Sequence, residues 1–283
     1  MSEYVEVDLA IVGGGLVGAS LALALRPAGL RVALIEGVAP DAAAQPSFDD
    51  RTTALGNGTR RVFESLGVWS AMAGEAAPIR RIHVSDAGRA GFARLDSREH
   101  DIDAFGYVIT NRSMGRALNA ALAGHVSLER RMPARCTGVA FDDEGVVLHT
   151  EPGERPLRAR LVVAADGANS LVRSAAGLEA NVEDYQQVAI VAHVASSRPA
   201  DGTAYERFTS SGPFAVLPLH DGHYGIVWTL SPAVAEEILA LSPEEVIGLI
   251  HPDEISSEDL PHEDWDIPLN AAATPDLVLR FTR

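Results

Sequence analysis

Gly13, Gly15 and Gly18 stand between an apolar run and a helix-like stretch, and an acid, Glu36, closes the next apolar run. Residues of these types at these spacings bind the pyrophosphate of a dinucleotide. Glycine at 13 permits a tight turn out of a strand. Glycine at 15 lets the main chain approach a phosphate with no Cβ in the way, and glycine at 18 lets helix and strand pack closely. Leu16 and Val17 then open a helix whose N–H groups and positive dipole end face the phosphates. Glu36 lies about 20 residues past the glycines, where a carboxylate accepts the hydroxyls of a ribose. The hexad alone is a weak signal. Strand, helix, second strand and acid in that order make it specific for an adenine dinucleotide, without saying which one.

The elements that must position these residues follow from apolar periodicity. Val5 to Val12 is a short apolar run ending at glycines, as a buried parallel strand does. Leu16 to Leu25 is apolar almost all round, which predicts a helix covered on several sides and stopped by Pro27 and Gly29. Leu30 to Ile35 is the next strand, and Pro40 to Asp50 is a loop of small and polar residues. Thr59 to Leu66 predicts an amphipathic helix closed by Gly67, and Ser113 to Ala123 a second one stopped by Gly124. Ile79 to Ser85, Gly91 to Leu95 and Gly106 to Thr110 are strand-like. Val126 to Glu129 precedes a hairpin of Cys136 to Phe141 and Val146 to Thr150, turning at Asp142-Asp143-Glu144-Gly145. Leu161 to Ala165 is a further buried strand that runs into Asp166-Gly167. From Val182 to Leu230 most segments are strands, with turns at Ser211-Gly212-Pro213 and Asp221-Gly222-His223, and a helix follows from Ala233 to Leu241.

The order is β-α-β, then mixed elements, then a β-rich block. It predicts an α/β chain with a Rossmann-like dinucleotide domain over residues 1–78 and 106–180. A second, mostly antiparallel sheet domain takes residues 79–105 and 181–266. Among 283 residues the formal net charge is −16, a surface that repels phosphate backbones and argues against a nucleic-acid partner. The single cysteine, Cys136, cannot form an intrachain disulfide, so a reducing cytoplasmic setting is expected. Its alternating surroundings suit a packed strand position rather than a nucleophile. No basic region precedes an apolar core at the N-terminus, and no uncharged run is long enough to span a bilayer. His220 and His223 flank a turn with no third ligand at suitable spacing, so no metal is expected. Asp49-Asp50 and Asp142-Asp143-Glu144 are loop acids, and no Gly-x-Ser-x-Gly elbow supports a hydrolase.

Asp8 to Glu36 resembles the opening of the flavoprotein aromatic-ring hydroxylases, and of their ubiquinone-biosynthesis branch in particular. Four later segments match in order. Asp50-Arg51-Thr52-Thr53-Ala54-Leu55 resembles the loop that brings an arginine to the flavin side of FAD. Gly106-Tyr107-Val108-Ile109-Thr110-Asn111-Arg112 resembles the strand and turn leading to a cofactor-contacting helix, with Asn111 the contact and Arg112 its neighbour. Ala159 to Ser170, with Arg173, resembles the Asp-Gly motif, in which Asp166 and Gly167 shape a turn near the pyrophosphate. Gly212-Pro213-Phe214-Ala215-Val216-Leu217-Pro218-Leu219 resembles a strand of the sheet that roofs the substrate cavity. Read from the residues alone, Asp166-Gly167 is equally a tight turn, Arg51 a solvated loop charge, and Phe214 and Trp228 either core or an aromatic face toward a substrate. Leu217 and Pro218 are carried as cavity candidates on the resemblance.

The resemblance implies an FAD-dependent monooxygenase with NAD(P)H as co-substrate, passing one oxygen atom through a flavin hydroperoxide to a phenolic ring. The phenol would be polyprenylated, with peripheral contact to the inner face of the membrane or to ubiquinone-pathway proteins. It implies no acid–base dyad, and none is found. The resembling enzymes are longer and carry a second FAD motif, Gly-Asp-Ala-Ala-His followed by Pro and Gly-Gln-Gly, which this chain lacks. Gly248 to Asp266 is acidic and fits poorly. Residues 267–283, with Ile267-Pro268-Leu269 and Asp276-Leu277-Val278-Leu279, look like the start of a return strand to the FAD domain. The expectation is a truncated or frame-shifted chain, with the C-terminal part of the FAD domain missing, weak flavin retention and impaired activity. The alternatives are an inactive remnant of such an enzyme and an NAD(P)-linked oxidoreductase built on one Rossmann unit.

Overall fold

The structure is a computed structural model, and it describes residues 3–39, 51–87, 89–125, 127–151, 153, 155–194, 200–220, 222–250 and 280–282. The expectations for Pro40 to Asp50, for Asp221 and for residues 251–279 fall outside these residues. In chain order, β1 (Val5–Val12), α1 (Leu16–Ala24) and β2 (Val32–Ile35) form the opening β-α-β. β3 (Thr52–Gly56), α2 (Asn57–Ser65) and the short α3 (Trp69–Met72) follow. Next come β4 (Ala77–Ile79), β5 (Arg81–Asp86), β6 (Phe92–Asp96), β7 (Gly106–Thr110), α4 (Asn111–Ala123) and β8 (Leu128–Arg131). The hairpin of β9 (Arg135–Asp142) and β10 (Gly145–Glu151) leads to β11 (Leu157–Ala164) and α5 (Leu171–Ala175). The remainder is β12 (Val188–Val194), β13 (Thr203–Thr209), β14 (Gly212–Pro218), β15 (Tyr224–Leu230), α6 (Pro232–Leu239), α7 (Pro243–Ile250) and β16 (Arg280–Thr282).

The chain divides into two compact units. The first comprises Met1–Arg51, Val62–Ala73 and Thr110–Val182. Its six-stranded sheet has the order β8-β2-β1-β11-β10-β9. The first four strands run parallel, and the hairpin strands β10 and β9 run antiparallel. All four residues of β2 are buried, as a strand covered on both faces requires. α1 packs on α4, and Arg26 Nη2 donates to the Ala121 carbonyl at 3.3 Å. Only part of α1 is covered, contrary to the reading of an all-round apolar helix. Gly18, Ala19, Ala22 and Leu23 are buried, whereas Val17 is 74% exposed. Small residues on the packed face let the helix sit close to its support, so fewer positions need cover.

β11 also differs from expectation. It pairs with β1 from Leu157 to Ala164, but with β10 only from Leu157 to Ala159. Among the described residues no strand pairs with the outer edge of its second half, and Leu161 is 57% exposed where a buried strand was expected.

The second unit comprises Thr52–Arg61, Gly74–Ile109 and Glu183–Arg283. Its seven-stranded sheet has the order β16-β12-β15-β14-β13-β5-β6, antiparallel except between β13 and β5. On one face Ile190, Phe214, Val216 and Ile226 pack with Ala235 and Ile238 of α6 and Val246 of α7. On the other, Ala204 and Leu217 meet Ala77, Ile79 and Val108 of the small sheet β3-β7-β4. The strand read from Ile79 to Ser85 is in fact two strands in different sheets. They part at Arg80, whose N–H, like that of Arg81, is bound to the Gly202 carbonyl (2.8 and 3.1 Å).

α7 went unread, although Ser242 and Glu245 form a capping box that a sequence scan can find. Ser242 N–H donates to Glu245 Oε2 at 2.8 Å, and Glu245 N–H to Ser242 Oγ at 3.3 Å. The expected return strand is corrected for its last residues. Arg280–Thr282 pairs antiparallel with β12 in this second unit, not in the first sheet, with Ile190 opposite Phe281. The alternating pattern of β12 offers it an edge that no other described strand occupies.

Phe214 is 4% exposed and meets Trp228 edge-to-face at 5.6 Å across the β14–β15 register. Phe214→Ala is expected to cost about 3–5 kcal/mol through the cavity it leaves, read as a lowered urea midpoint at constant slope. A loss below about 1 kcal/mol would show that this face is loosely packed.

Candidate dinucleotide site

The glycine turn lies in the first unit where β1 ends. Gly13 has φ +102°, which glycine adopts without strain, and its N–H donates to the Ile35 carbonyl at 2.8 Å. A Cβ at Gly13 would come within 2.1 Å of the Ala165 carbonyl oxygen. A Cβ at Gly18 would come within 1.8 Å of the Gly13 carbonyl oxygen. Both glycines are thus required by closeness: one by the turn after β11, the other by the seat of α1 on its own preceding turn. Gly15 is the N-cap of α1 in an extended conformation. No side chain caps the helix and its first turn, Leu16, Val17 and Gly18, holds no acid. Its N–H groups and positive end are left for an anion.

Glu36 braces this turn. Its Oε2 accepts from Gly14 N–H at 2.7 Å and its Oε1 from Val38 N–H at 2.8 Å. Its own main chain is held by Arg131 and Ala134, at 3.0 and 2.7 Å. A carboxylate has about four lone-pair directions, so two backbone donors leave acceptor capacity for ribose hydroxyls. Gly14 is the position sequence reasoning passed over. A Cβ there would meet the Glu36 Cβ at 2.8 Å, so the middle glycine is what lets the acid close on the loop.

Asp166 and Gly167 form the neighbouring turn. Ala165 N–H donates to the Val12 carbonyl at 2.7 Å, which brings the end of β11 beside the end of β1. Asp166 Oδ2 accepts from Leu171 and Val172 N–H at 2.8 and 3.3 Å, while its buried Oδ1 has no hydrogen-bond partner among the described residues. Gly167 has φ +87°, and Arg173 Nη2 closes the segment on the Ala168 carbonyl at 2.8 Å. Arg51 and Asn111 form a second pair in the same unit. Asn111 N–H donates to the Arg51 carbonyl at 2.9 Å, and Thr110 Oγ1 caps α4 on Ser113 N–H at 3.2 Å. A cradle that added Cβ atoms would fill, an uncapped helix end, an acid with spare acceptors and an orphaned buried oxygen together fit a bound dinucleotide.

The cavity candidates lie in the second unit and do not share one face. Phe214 is a core residue under α6, Trp228 is packed against that core, and Pro218 is buried on the same side of β14. These three take packing positions, because the strand pleat turns every second side chain toward the helices. Leu217 alone points to the opposite face. That face carries a group sequence reasoning missed, Glu206. Burial pushes its carboxyl above the usual range. Cys136 is half-buried in β9, and burial likewise raises its thiol, which leaves it unreactive. Among the described residues no group of His, Cys, Asp and Glu is placed to hold a metal.

Residues 6–265 match the FAD-binding domain family. The ubiquinone hydroxylase UbiL of Rhodospirillum rubrum is 37% identical over 237 residues, covering 84% of this chain and 55% of its own length. The 3-demethoxyubiquinol 3-hydroxylase of Escherichia coli is 35% identical over 230 residues, covering 80% and 58%. The chain thus spans somewhat over half the length of these relatives. Among solved structures, Pseudomonas aeruginosa PqsL in complex with 2-aminobenzoylacetate aligns with a TM-score of 0.72 at 23% identity, over 86% of this chain and 66% of that one. This likeness concerns the fold.

Two outcomes follow for the groups described. Gly18→Ala is expected to lose about 3 kcal/mol, since the obstructing atom is backbone, and a melting curve checks it. For Glu206, the folded protein holds the proton more tightly than the unfolded chain. Its stabilising contribution is fully present below the unfolded value near 4.5 and is lost as pH rises through the higher folded value. Glu206→Gln is therefore expected to be more stable than the parent at neutral pH, by less than about 1 kcal/mol because solvent screens a half-exposed group. The gap closes in acid, and denaturant curves at acidic and neutral pH would expose a constant gap as a contradiction.

Proposed function

The chain belongs to the FAD-binding domain family, and from that premise we propose that it serves FAD-dependent hydroxylation of a phenolic ring in ubiquinone biosynthesis, with NAD(P)H as co-substrate. The observation that carries the reading is the braced glycine turn: Gly14 N–H on Glu36, with Gly13 and Gly18 too crowded for any side chain. When bound, FAD would take electrons from NAD(P)H and activate oxygen for transfer to the ring.

The chain's own residues bind and orient. The first turn of α1, with Leu16, Val17 and Gly18, receives the pyrophosphate through main-chain N–H groups, and the turn from Gly13 to Gly15 brings the bare backbone up to it. Glu36 takes the ribose hydroxyls on the lone pairs left free by Gly14 and Val38. Asp166 and Gly167 hold the adjoining turn against Gly13, and the unsatisfied Oδ1 of Asp166 accepts a donor from the ligand. Arg51 and Asn111, joined through the main chain, serve the flavin side. The names of the relatives, a ubiquinone hydroxylase and a 3-demethoxyubiquinol 3-hydroxylase, support a ubiquinone-related phenol as substrate. A polyprenyl tail on that phenol would bring the protein to a membrane surface. Among the described residues no helix is long and apolar enough to cross one.

The test is flavin retention. Protein incubated with FAD and desalted is expected to keep the visible flavin spectrum, and Glu36→Ala to weaken binding about tenfold by leaving Gly14 and the ribose without their acceptor. Absence of bound flavin in the parent chain, or NADPH oxidation that ignores added phenol, would sink the proposal.

A further inference from the structure

Tyr205-Glu206-Arg207-Phe208 reads as an acid beside a base, but the pleat of β13 separates them. Arg207 is 2% exposed on the helix-covered face, where its Nη1 reaches Ser85 Oγ at 3.4 Å. Glu206 lies on the other face. It is opposite Ala215 of β14 on one side and Val84 of β5 on the other. The strip continues through Val227 of β15 to Val191 of β12, in register. All these side chains are only half-buried, and Phe208, next along β13 on this face, is 50% exposed. Farther along, Ala204 and Leu217 are covered by the small sheet. The strip from Glu206 to Val191 is therefore an apolar surface with one carboxylate set in it.

No described residue gives that carboxylate a hydrogen bond or an ion pair. The neighbouring acid on this face, Asp86, is taken by Arg89 at 3.8 Å. Burial raises the Glu206 carboxyl, as expected for an anion without a partner. A half-buried, unpaired carboxylate is a strong acceptor waiting for a donor, and an apolar strip beside it accommodates a ring. A phenol supplies both in one molecule: a flat apolar body and an acidic O–H.

We propose that Glu206 accepts a hydrogen bond from the ring hydroxyl of the phenolic substrate, which lies against Ala215, Val227 and Phe208 on this face. This assignment rests on the proposed function for the substrate's chemistry, and it selects phenols over their ethers.

The test compares para-pentylphenol with its methyl ether, para-pentylanisole, by calorimetry on the full chain, with and without FAD. The parent protein is expected to bind the phenol about tenfold more tightly. Glu206→Leu should bring the two affinities together while leaving the far-ultraviolet spectrum unchanged. Glu206→Gln, which keeps an acceptor oxygen, should retain part of the preference. No preference in the parent, no binding of either probe, or a preference that survives in Glu206→Leu would overturn the assignment. Flavin retention is scored separately. A chain that keeps FAD but shows no phenol preference loses only the role of Glu206, and a chain that keeps no FAD loses the function instead.

Discussion

Between Gly13 and the carbonyl of Ala165 there is no room for a single additional carbon, and the first unit is arranged around that closeness. β1 and β11 run parallel and in register to their ends, Val12 beside Ala164, so both chains must leave the sheet at the same place. Only a residue without a Cβ, turning at positive φ, lets them do so. The consequences spread outward. α1 sits on the Gly13 carbonyl through Gly18, Glu36 reaches Gly14 from the end of β2, and the Asp166 turn is carried alongside. A parallel sheet collects such turns at the carboxyl ends of its strands, which is where a dinucleotide finds helix N-termini and bare main chain.

The anion site so formed owes nothing to the overall charge. The chain contains no lysine and carries a formal charge of −16. Attraction for a pyrophosphate comes from oriented N–H groups at short range, where the long-range surface field counts for little. Glu36 is an acid within an anion-binding loop without contradiction. Its charge is engaged by two backbone donors, the N–H groups of Gly14 and Val38.

In the second unit the organising device is the strand pleat. One face of the large sheet is closed by α6 and α7, and aromatic residues there pack on one another. The other face is covered in part by the small sheet, and the remainder is an apolar strip interrupted by Glu206. Arg207 and Glu206 are neighbours along the chain and belong to different environments, one inside the core and one on the half-open face.

What the sequence determined by itself was local. Glycine spacing, the apolar runs of β1 and β2 and the acid after them specified the turn, its helix and the place of the acid, because each depends on residues close along the chain or on a repeat of two or 3.6. The ordered motifs identified the family for the same reason. Tertiary structure decided what depends on distant partners. It split Ile79 to Ser85 between two sheets at Arg80, left the second half of β11 exposed where β10 stops pairing, and sent Arg280–Thr282 to β12. It also turned Phe214, Trp228 and Pro218 inward and Glu206 outward. Alternation along a strand says that successive side chains part company, but which face meets helices is settled only when those helices pack. The glycine turn was therefore readable residue by residue, while the face of the sheet that a ring can reach was not.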